Sequence, residues 1–169
     1  MKDAPRVLLM MGSDTDLPVM QEAADILKKF AVPYEMRISS AHRSPARTLA
    51  LATGAADRGI KIIIAGAGMA AHLAGVVVSK TILPVIGVPM PGGALNGVDA
   101  LYATVQMPAG IPVASMAIGK AGAKNAGLFA IHILALSDPH LAGALLNYRV
   151  EMDKELEQKD ADLQTRCYD

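Results

Sequence analysis

Ser39-Ser40-Ala41-His42-Arg43-Ser44-Pro45 joins two stretches of different periodicity. Ahead of it, Tyr34-Glu35-Met36-Arg37-Ile38 alternates in the manner of a strand. Behind it, Pro45 stands where proline favours the first turn of a helix, and a helical pattern runs from Ala46 to about Arg58. A strand that turns straight into a helix is half of a βαβ unit, the building block of parallel sheets. The turn itself carries two hydroxyls, an imidazole and a guanidinium. It therefore sets a proton carrier beside an anion binder at the carboxyl end of a strand, the edge where open α/β sheets bind ligands. Taken alone, the same residues would also suit a surface turn with a capping serine and two solvated polar side chains.

Upstream, Arg6 to Met11 is a continuous apolar run, as expected of a strand covered on both faces. Gly12-Ser13-Asp14-Thr15-Asp16 follows, then Leu17-Pro18 and an amphipathic stretch to about Phe30. Serine, aspartate and threonine cap helices, and the free amides at a helix start form an anion site. The stretch is neither a Walker loop nor a dinucleotide fingerprint, so capping and anion binding both remain open here.

Downstream, Ile60 to Ala65 reads as a third strand, followed by Gly66-Ala67-Gly68-Met69-Ala70-Ala71-His72. This matches G-x-G-x-x-A, but it follows the third strand rather than the first. It also lacks the acidic residue about twenty positions on that would hold a ribose. A nicotinamide-dinucleotide site is excluded on those grounds; the glycines still imply close approach of the backbone to a ligand or another chain. His72 is a candidate site group or a structural histidine. The uncharged run from Ile62 to Ser79 is long enough to suggest a membrane span, but its glycines and His72 fit a strand, a turn and a buried helix better.

Pro84 to Val88 reads as the fourth strand, and Pro89 to Gly97 as a loop dense in turn formers. A short helix from Val98 to about Gln106, a fifth strand from Val113 to Ile118 and an apolar helix from Ala126 to Leu136 follow. His132 falls among Ile and Leu as a packing residue. From about Pro139 to Gln164 the pattern is helical and increasingly charged, a helix expected to extend to a neighbouring subunit. Five strands alternating with helices predict a three-layer αβα domain over residues 1–169 with a parallel, flavodoxin-like sheet of order 2-1-3-4-5. That order places the loops after strands one, two and three around one crevice.

Composition narrows the partners. Of 169 residues, 52% are hydrophobic and 19% charged, with no Trp, which suggests a core of small aliphatic residues and further surface buried between subunits. Sixteen basic residues balance sixteen acidic ones, so no global field draws the chain to nucleic acid or an anionic membrane. One cysteine, Cys167, and no basic-apolar leader fit a cytoplasmic protein. No metal-ligand cluster and no ATP loop appears in the sequence, so no cofactor is expected.

Five motifs in register carry a resemblance: MGSDTD (11–16), SSAHRSP (39–45), AGAGMAAHLAG (65–75), ALNGVDALYATVQMPAGIPV (94–113) and AIGKAGAKNAG (117–127). They make the chain similar to the N5-carboxyaminoimidazole ribonucleotide mutases of de novo purine synthesis, from about Arg6 to Leu136. The resemblance implies an isomerase that moves a carboxylate from the exocyclic nitrogen of an aminoimidazole ribonucleotide to ring carbon C4, by way of a trapped CO2. It implies that Ser13 and Arg43 hold the substrate phosphate with Thr15 nearby and Ser40 in the same site. Asp16 would accept from the ribose hydroxyls, His42 would transfer the proton, and a loop with Gly68, His72 and Leu73 would close over the base. It also implies a homo-octamer with sites at subunit contacts.

Two departures stand out. Relatives commonly have proline where this chain has Ala74, and a polar and a serine-like residue where it has Pro91, Gly92 and Gly93, so a ligand contact from that loop would come from backbone. Two other readings compete. The related carboxylase uses free CO2 but typically carries lysine in place of Arg43 and a different glycine loop. A non-catalytic flavodoxin-like nucleotide-binding module would need no imidazole beside its anion binder.

Overall fold

The computed structural model describes residues 4–167. Five strands, β1 (Val7–Met11), β2 (Tyr34–Ile38), β3 (Ile62–Ala67), β4 (Val85–Pro89) and β5 (Ala114–Ser115), form one parallel sheet in the order β2-β1-β3-β4-β5. This is the flavodoxin-like order that the sequence predicts. The connecting helices are α1 (Leu17–Lys29), α2 (Pro45–Thr53), α3 (Leu73–Val78), α4 (Val98–Val105) and α5 (Lys120–Ala135), and α6 (Pro139–Cys167) ends the chain.

All five residues of β1 and of β4 are buried, which explains their unbroken apolar runs: a strand with a helical layer on each face has no solvent side to alternate toward. On one face Leu8, Met10, Ile63 and Ala65 pack with Ala52 and Ala55 from the α2 region and with Leu73, Ala74 and Val77 of α3. The other face takes α1, whose Met20 reaches Gly66 of β3, and Gly127 of α5 approaches Ala23 and Ile26 of α1. Small residues at Ala23, Ala123 and Ala126, all fully buried, fit the low aromatic content.

The register levels the carboxyl ends of the strands. Met11 lies opposite Ile38 on one side and Gly66 on the other, and Gly66 lies opposite Val88. The loops leaving β1, β2, β3 and β4 therefore emerge together at one edge.

Several element boundaries differ from the sequence expectation: β3 and β4 are displaced toward the carboxyl end, so that Gly66 and Ala67 are strand rather than turn, and three other differences need a physical reason. The fifth strand covers only Ala114–Ser115, because it is an edge strand bonded to β4 alone; beyond it Met116 and Gly119 amides still donate singly to the carbonyls of Gly87 and Pro89. α5 begins at Lys120, six residues earlier than expected, since Gly119 turns the chain with a φ of 78° and the Ala-Gly stretch continues as helix. α2 stops at Thr53, and Ala56–Arg58 forms a separate 3-10 turn that ends at Gly59 in the left-handed region. There Arg58 donates to Glu35 of β2 and to the carbonyl of Leu51. Burial pushes the Glu35 carboxyl up, but the hydrogen bonds from Arg37 and Arg58 outweigh it and leave its pKa lowered.

The chain groups into two compact units with the boundary after Ala130. The second holds the end of α5 and α6, a 29-residue helix that opens with the Leu141 amide donating to Asp138 Oδ1. Its later turns are exposed, with Leu146, Val150, Leu156 and Leu163 among the charged residues. The uncharged run from Ile62 to Ser79 is β3, a turn and α3, and no helix among the described residues is long and apolar enough to cross a membrane.

Candidate active site

Main-chain bonds stitch the four loops at the sheet edge. Ser39 N donates to Met11 O at 2.8 Å, Gly12 N to Gly66 O at 3.3 Å, and Met90 N to Ala67 O at 2.9 Å. Between the loops lies a cavity of about 550 Å³, a size suited to a small-molecule ligand. All nine candidates from the sequence, Ser13, Thr15, Asp16, Ser40, His42, Arg43, Gly68, His72 and Leu73, line it.

The loop after β1 is built around Ser13. Its hydroxyl accepts from Thr15 N at 3.3 Å, and its own amide donates to Asp16 Oδ2 at 3.1 Å, a capping box closed over one 3-10 turn, Asp14–Asp16. The cap thus serves this turn, and α1 starts behind it at Leu17. Burial of the Asp16 carboxyl raises its pKa; donation from the Ser13 and Gly12 amides and the charge of Arg43 offset only part of that cost.

The loop after β2 is a tight turn anchored from below. Ser39 and Thr48 hydroxyls share a buried hydrogen bond of 2.8 Å, which ties the turn to α2. Arg43 N donates to Ser40 Oγ at 3.1 Å, so one serine of the pair is structural support and the other orients the Arg43 backbone. The Arg43 guanidinium crosses to the first loop and donates through Nη2 to Gly12 O at 2.8 Å. A guanidinium has five donors, so the rest of the fork stays available to an anion beside Ser13 and Thr15.

The loop after β3 brings the second imidazole. Two successive short bonds, Ala71 N to Met69 O and His72 N to Ala70 O, fold the chain back so that His72 meets His42. His42 Nε2 and His72 Nδ1 are 2.8 Å apart, with ring centroids 4.9 Å apart and ring planes 87° to one another. Leu73, 2% exposed, contributes apolar wall.

Several lining residues had no sequence signal as site groups. Met90 is buried and Met69, at a φ of 55°, is exposed, yet both face the cavity. Met69 lies against Gly93 of the loop after β4, where an added Cβ would stand 3.3 Å from Met69 Cγ. That contact, invisible to spacing, adds to the Met90–Ala67 main-chain bond in joining the two loops. Among the described residues no group of three or more His, Cys, Asp or Glu could hold a metal ion.

An open parallel sheet of order 2-1-3-4-5, with an imidazole, a guanidinium and a capped turn gathered around a crevice at one strand edge, defines a flavodoxin-like α/β protein. The chain belongs to the AIR carboxylase family, which matches residues 6–155. A curated relative from Pyrococcus horikoshii, named N5-carboxyaminoimidazole ribonucleotide mutase, is 54% identical over 93% of this chain and 88% of its own. A phosphoribosylaminoimidazole carboxylase from Schizosaccharomyces pombe is 51% identical over 95% of this chain, which spans 28% of that longer protein. The crystal structure of Treponema denticola PurE superposes with a TM-score of 0.83 at 30% identity, covering 94% of this chain and 98% of the other.

Proposed function

We propose that the protein is an isomerase of purine biosynthesis, converting N5-carboxyaminoimidazole ribonucleotide to its 4-carboxy isomer. The observation that carries this reading is the convergence of His42 and Arg43 with the Ser13 cap in one crevice, in a chain 54% identical to a relative of that name. Ser13, Thr15 and the free part of the Arg43 fork bind the phosphate, and Asp16 accepts from the ribose. His42 then faces the aminoimidazole.

The N–CO2 bond breaks as a proton reaches the exocyclic nitrogen, giving the free amine and CO2. C4 attacks that CO2, and the C4 proton leaves to restore the aromatic ring. One proton is taken up and one released, so an imidazole can serve both steps near neutral pH. Leu73 and Met90 supply a dry wall, which favours recapture of CO2 over its escape.

An assembly of eight subunits in the cytoplasm, with sites at subunit contacts, belongs to the same reading. Its support is an unpartnered apolar face: Val98, Tyr102 and Val105 stand exposed at helical spacing on α4, beside an exposed Leu95. Light scattering at micromolar concentration should find an oligomer; a monomer would remove this part.

The test of function is incubation with the carbamate substrate without ATP, metal or bicarbonate, following the C-carboxylated product. Conversion is expected. The name of the S. pombe relative favours a second reading, a carboxylase using free CO2. Turnover of the unsubstituted aminoimidazole ribonucleotide with CO2 and none of the carbamate would establish that one instead, and binding without either turnover would leave a nucleotide-binding module.

A further inference from the structure

Met69 holds a φ of 55°, in the left-handed region that is costly for a residue with a side chain and open to glycine, such as its neighbour Gly68. Its side chain is apolar and lines the crevice, yet it is 61% exposed, whereas Met90 in the same cavity is 2% exposed. Backbone strain and exposed apolar bulk at one residue beside a ligand crevice point to a function.

The side chain runs along the loop after β4. Its Cγ, Sδ and Cε lie 3.3, 3.9 and 4.0 Å from the point where a Cβ on Gly93 would stand. Gly93 turns at a φ of 64°, and a Cβ on Gly92 would meet nothing within 4 Å. These two glycines bring no side chain to the gap between the loops, and the Met69 thioether occupies it. Both backbones are pinned: Met69 O accepts from Ala71 N at 2.8 Å, and Met90 N donates to Ala67 O at 2.9 Å. An unbranched thioether can fill an irregular gap and swing aside by rotation about its own bonds.

The order of the sheet tells which end of the crevice Met69 covers. The loops after β2 and β1 are neighbours and carry Arg43 and Ser13; those after β3 and β4 lie beyond them and carry Met69 and Gly93. A ribonucleotide whose phosphate sits at Ser13 and Arg43 extends its base toward Leu73, Met90 and Met69. Leu73 and Met90 are buried walls, and Met69 is the one of the three that faces water.

We propose that Met69 closes the base end of the crevice against Gly93, and that this apolar cover decides whether CO2 freed from the substrate is recaptured or exchanged with CO2 in solution. This rests on the reading of the site as one of carboxylate transfer through free CO2. Between breakage of the N–C bond and formation of the bond to C4, CO2 is a small neutral molecule that no ion pair holds, so steric cover is what retains it. A covered mouth selects the carboxyl of the carbamate itself. An open one admits CO2 from solution and lets the free amine leave.

Met69→Ala removes the three atoms that reach Gly93 and keeps a restricted backbone; Ala31 already holds a φ of 53° in this chain, so the turn should form. Met69→Leu restores apolar bulk. Parent and variants are incubated with the carbamate, carbon-13-labelled bicarbonate and carbonic anhydrase, which together supply labelled CO2. Mass spectrometry follows label in the 4-carboxy product, and free aminoimidazole ribonucleotide is measured against breakdown without enzyme. The parent should keep the carbamate's own carboxyl in most of its product. Met69→Ala should raise both the labelled share of product and the free amine per product by at least about 3-fold, through a lower barrier to escape relative to capture. Met69→Leu should return both toward the parent's values. Both readouts are ratios, so they do not depend on how much of a variant is active.

Labelling in Met69→Ala no higher than in the parent, a parent that already takes its carboxyl from solution, or a leucine variant that leaks as much as the alanine one would each overturn the inference. If the alanine variant does not fold by circular dichroism, Met69→Gly, unstrained at this φ, replaces it with the same expectations. A parent that forms no 4-carboxy product from the carbamate would instead overturn the functional reading.

Discussion

Arg43 Nη2 donates to the carbonyl oxygen of Gly12 across 2.8 Å, so the loop after β2 is tied to the loop after β1 by the side chain proposed to bind phosphate. Arg43→Lys keeps the charge but loses the planar fork, and an ammonium cannot hold Gly12 O and two phosphate oxygens in the same geometry. Charge-assisted bonds are worth about 1.5–3 kcal/mol each, so KM for the ribonucleotide should rise about 10- to 100-fold with kcat less affected. Steady-state kinetics would check this. An unchanged KM would place the phosphate elsewhere.

Asp16 is held at a cost that the fold could shed. Its pKa is raised chiefly by burial, so the folded state holds this proton more tightly than the unfolded chain does. Asp16 therefore favours folding most below its unfolded pKa, near 4, and that contribution is lost as pH rises through the higher folded value. Asp16→Asn keeps an oxygen for the Ser13 amide and carries no charge to bury. Its thermal stability at pH 7 should equal or exceed the parent's, and the parent's Tm relative to the variant's should fall as pH rises above about 4. Affinity for the ribose hydroxyls should fall by about 10-fold, since a charged acceptor is replaced by a neutral one. A relative Tm that rises over the same pH range would contradict the burial argument.

Glycines 122 and 66 should respond to alanine very differently. A Cβ on Gly122 would lie 1.6 Å from Ala117 O, a backbone atom at the entry to α5, and the helix start cannot yield without breaking its turn. Gly122→Ala should cost more than about 4 kcal/mol or prevent folding. A Cβ on Gly66 would meet Met90 Cε at 2.3 Å and Met20 Sδ at 2.6 Å, the ends of flexible side chains. Gly66→Ala should then cost only about 1–3 kcal/mol, as overpacking does. Denaturation midpoints of the two variants would decide; equal losses would mean that the methionines are as fixed as backbone.

What the sequence made legible follows the range of the physics involved. β1 was readable because burial on both faces imposes an unbroken apolar run; β2, none of whose residues is buried, was readable only from its alternation and the turn that follows it, and the order of the sheet followed from strands alternating with helices. The start of α5 was not, because Gly122 and Asn125 have poor helix propensity, and the close fit of buried Gly122 to Ala117 and of Gly127 to Ala23 and Ile26 of α1 is a matter of packing rather than of local pattern. The four-residue excess assigned to the fifth strand at its two ends has the same origin, since hydropathy cannot tell a paired edge from an unpaired one. At the site, the capping box of Ser13 and Asp16 obeys a three-residue rule and left its mark at 13–16. The His42–His72 bond and the Met69–Gly93 contact join residues 30 and 24 positions apart through loop geometry, and no local rule encodes them.

His42→Asn separates catalysis from binding. His42 is exposed at the crevice edge and among the described residues its ring bonds only to His72, so the substitution removes little packing, and the turn keeps its Ser39–Thr48 and Ser40–Arg43 bonds. Asparagine can still hydrogen bond, to His72 or to ligand, but it cannot carry a proton near pH 7. General acid–base groups contribute about 10²–10⁴-fold in rate, so kcat should fall by that order. The phosphate and ribose contacts proposed for Ser13, Arg43 and Asp16 lie on other side chains, so affinity measured by calorimetry should change little. Folding should be unaltered for the same reason, and circular dichroism with a thermal melt would establish it before turnover is compared. Near-normal turnover in a folded variant would remove His42 from the chemistry, and the proton would then have to travel by His72, the other imidazole in the crevice.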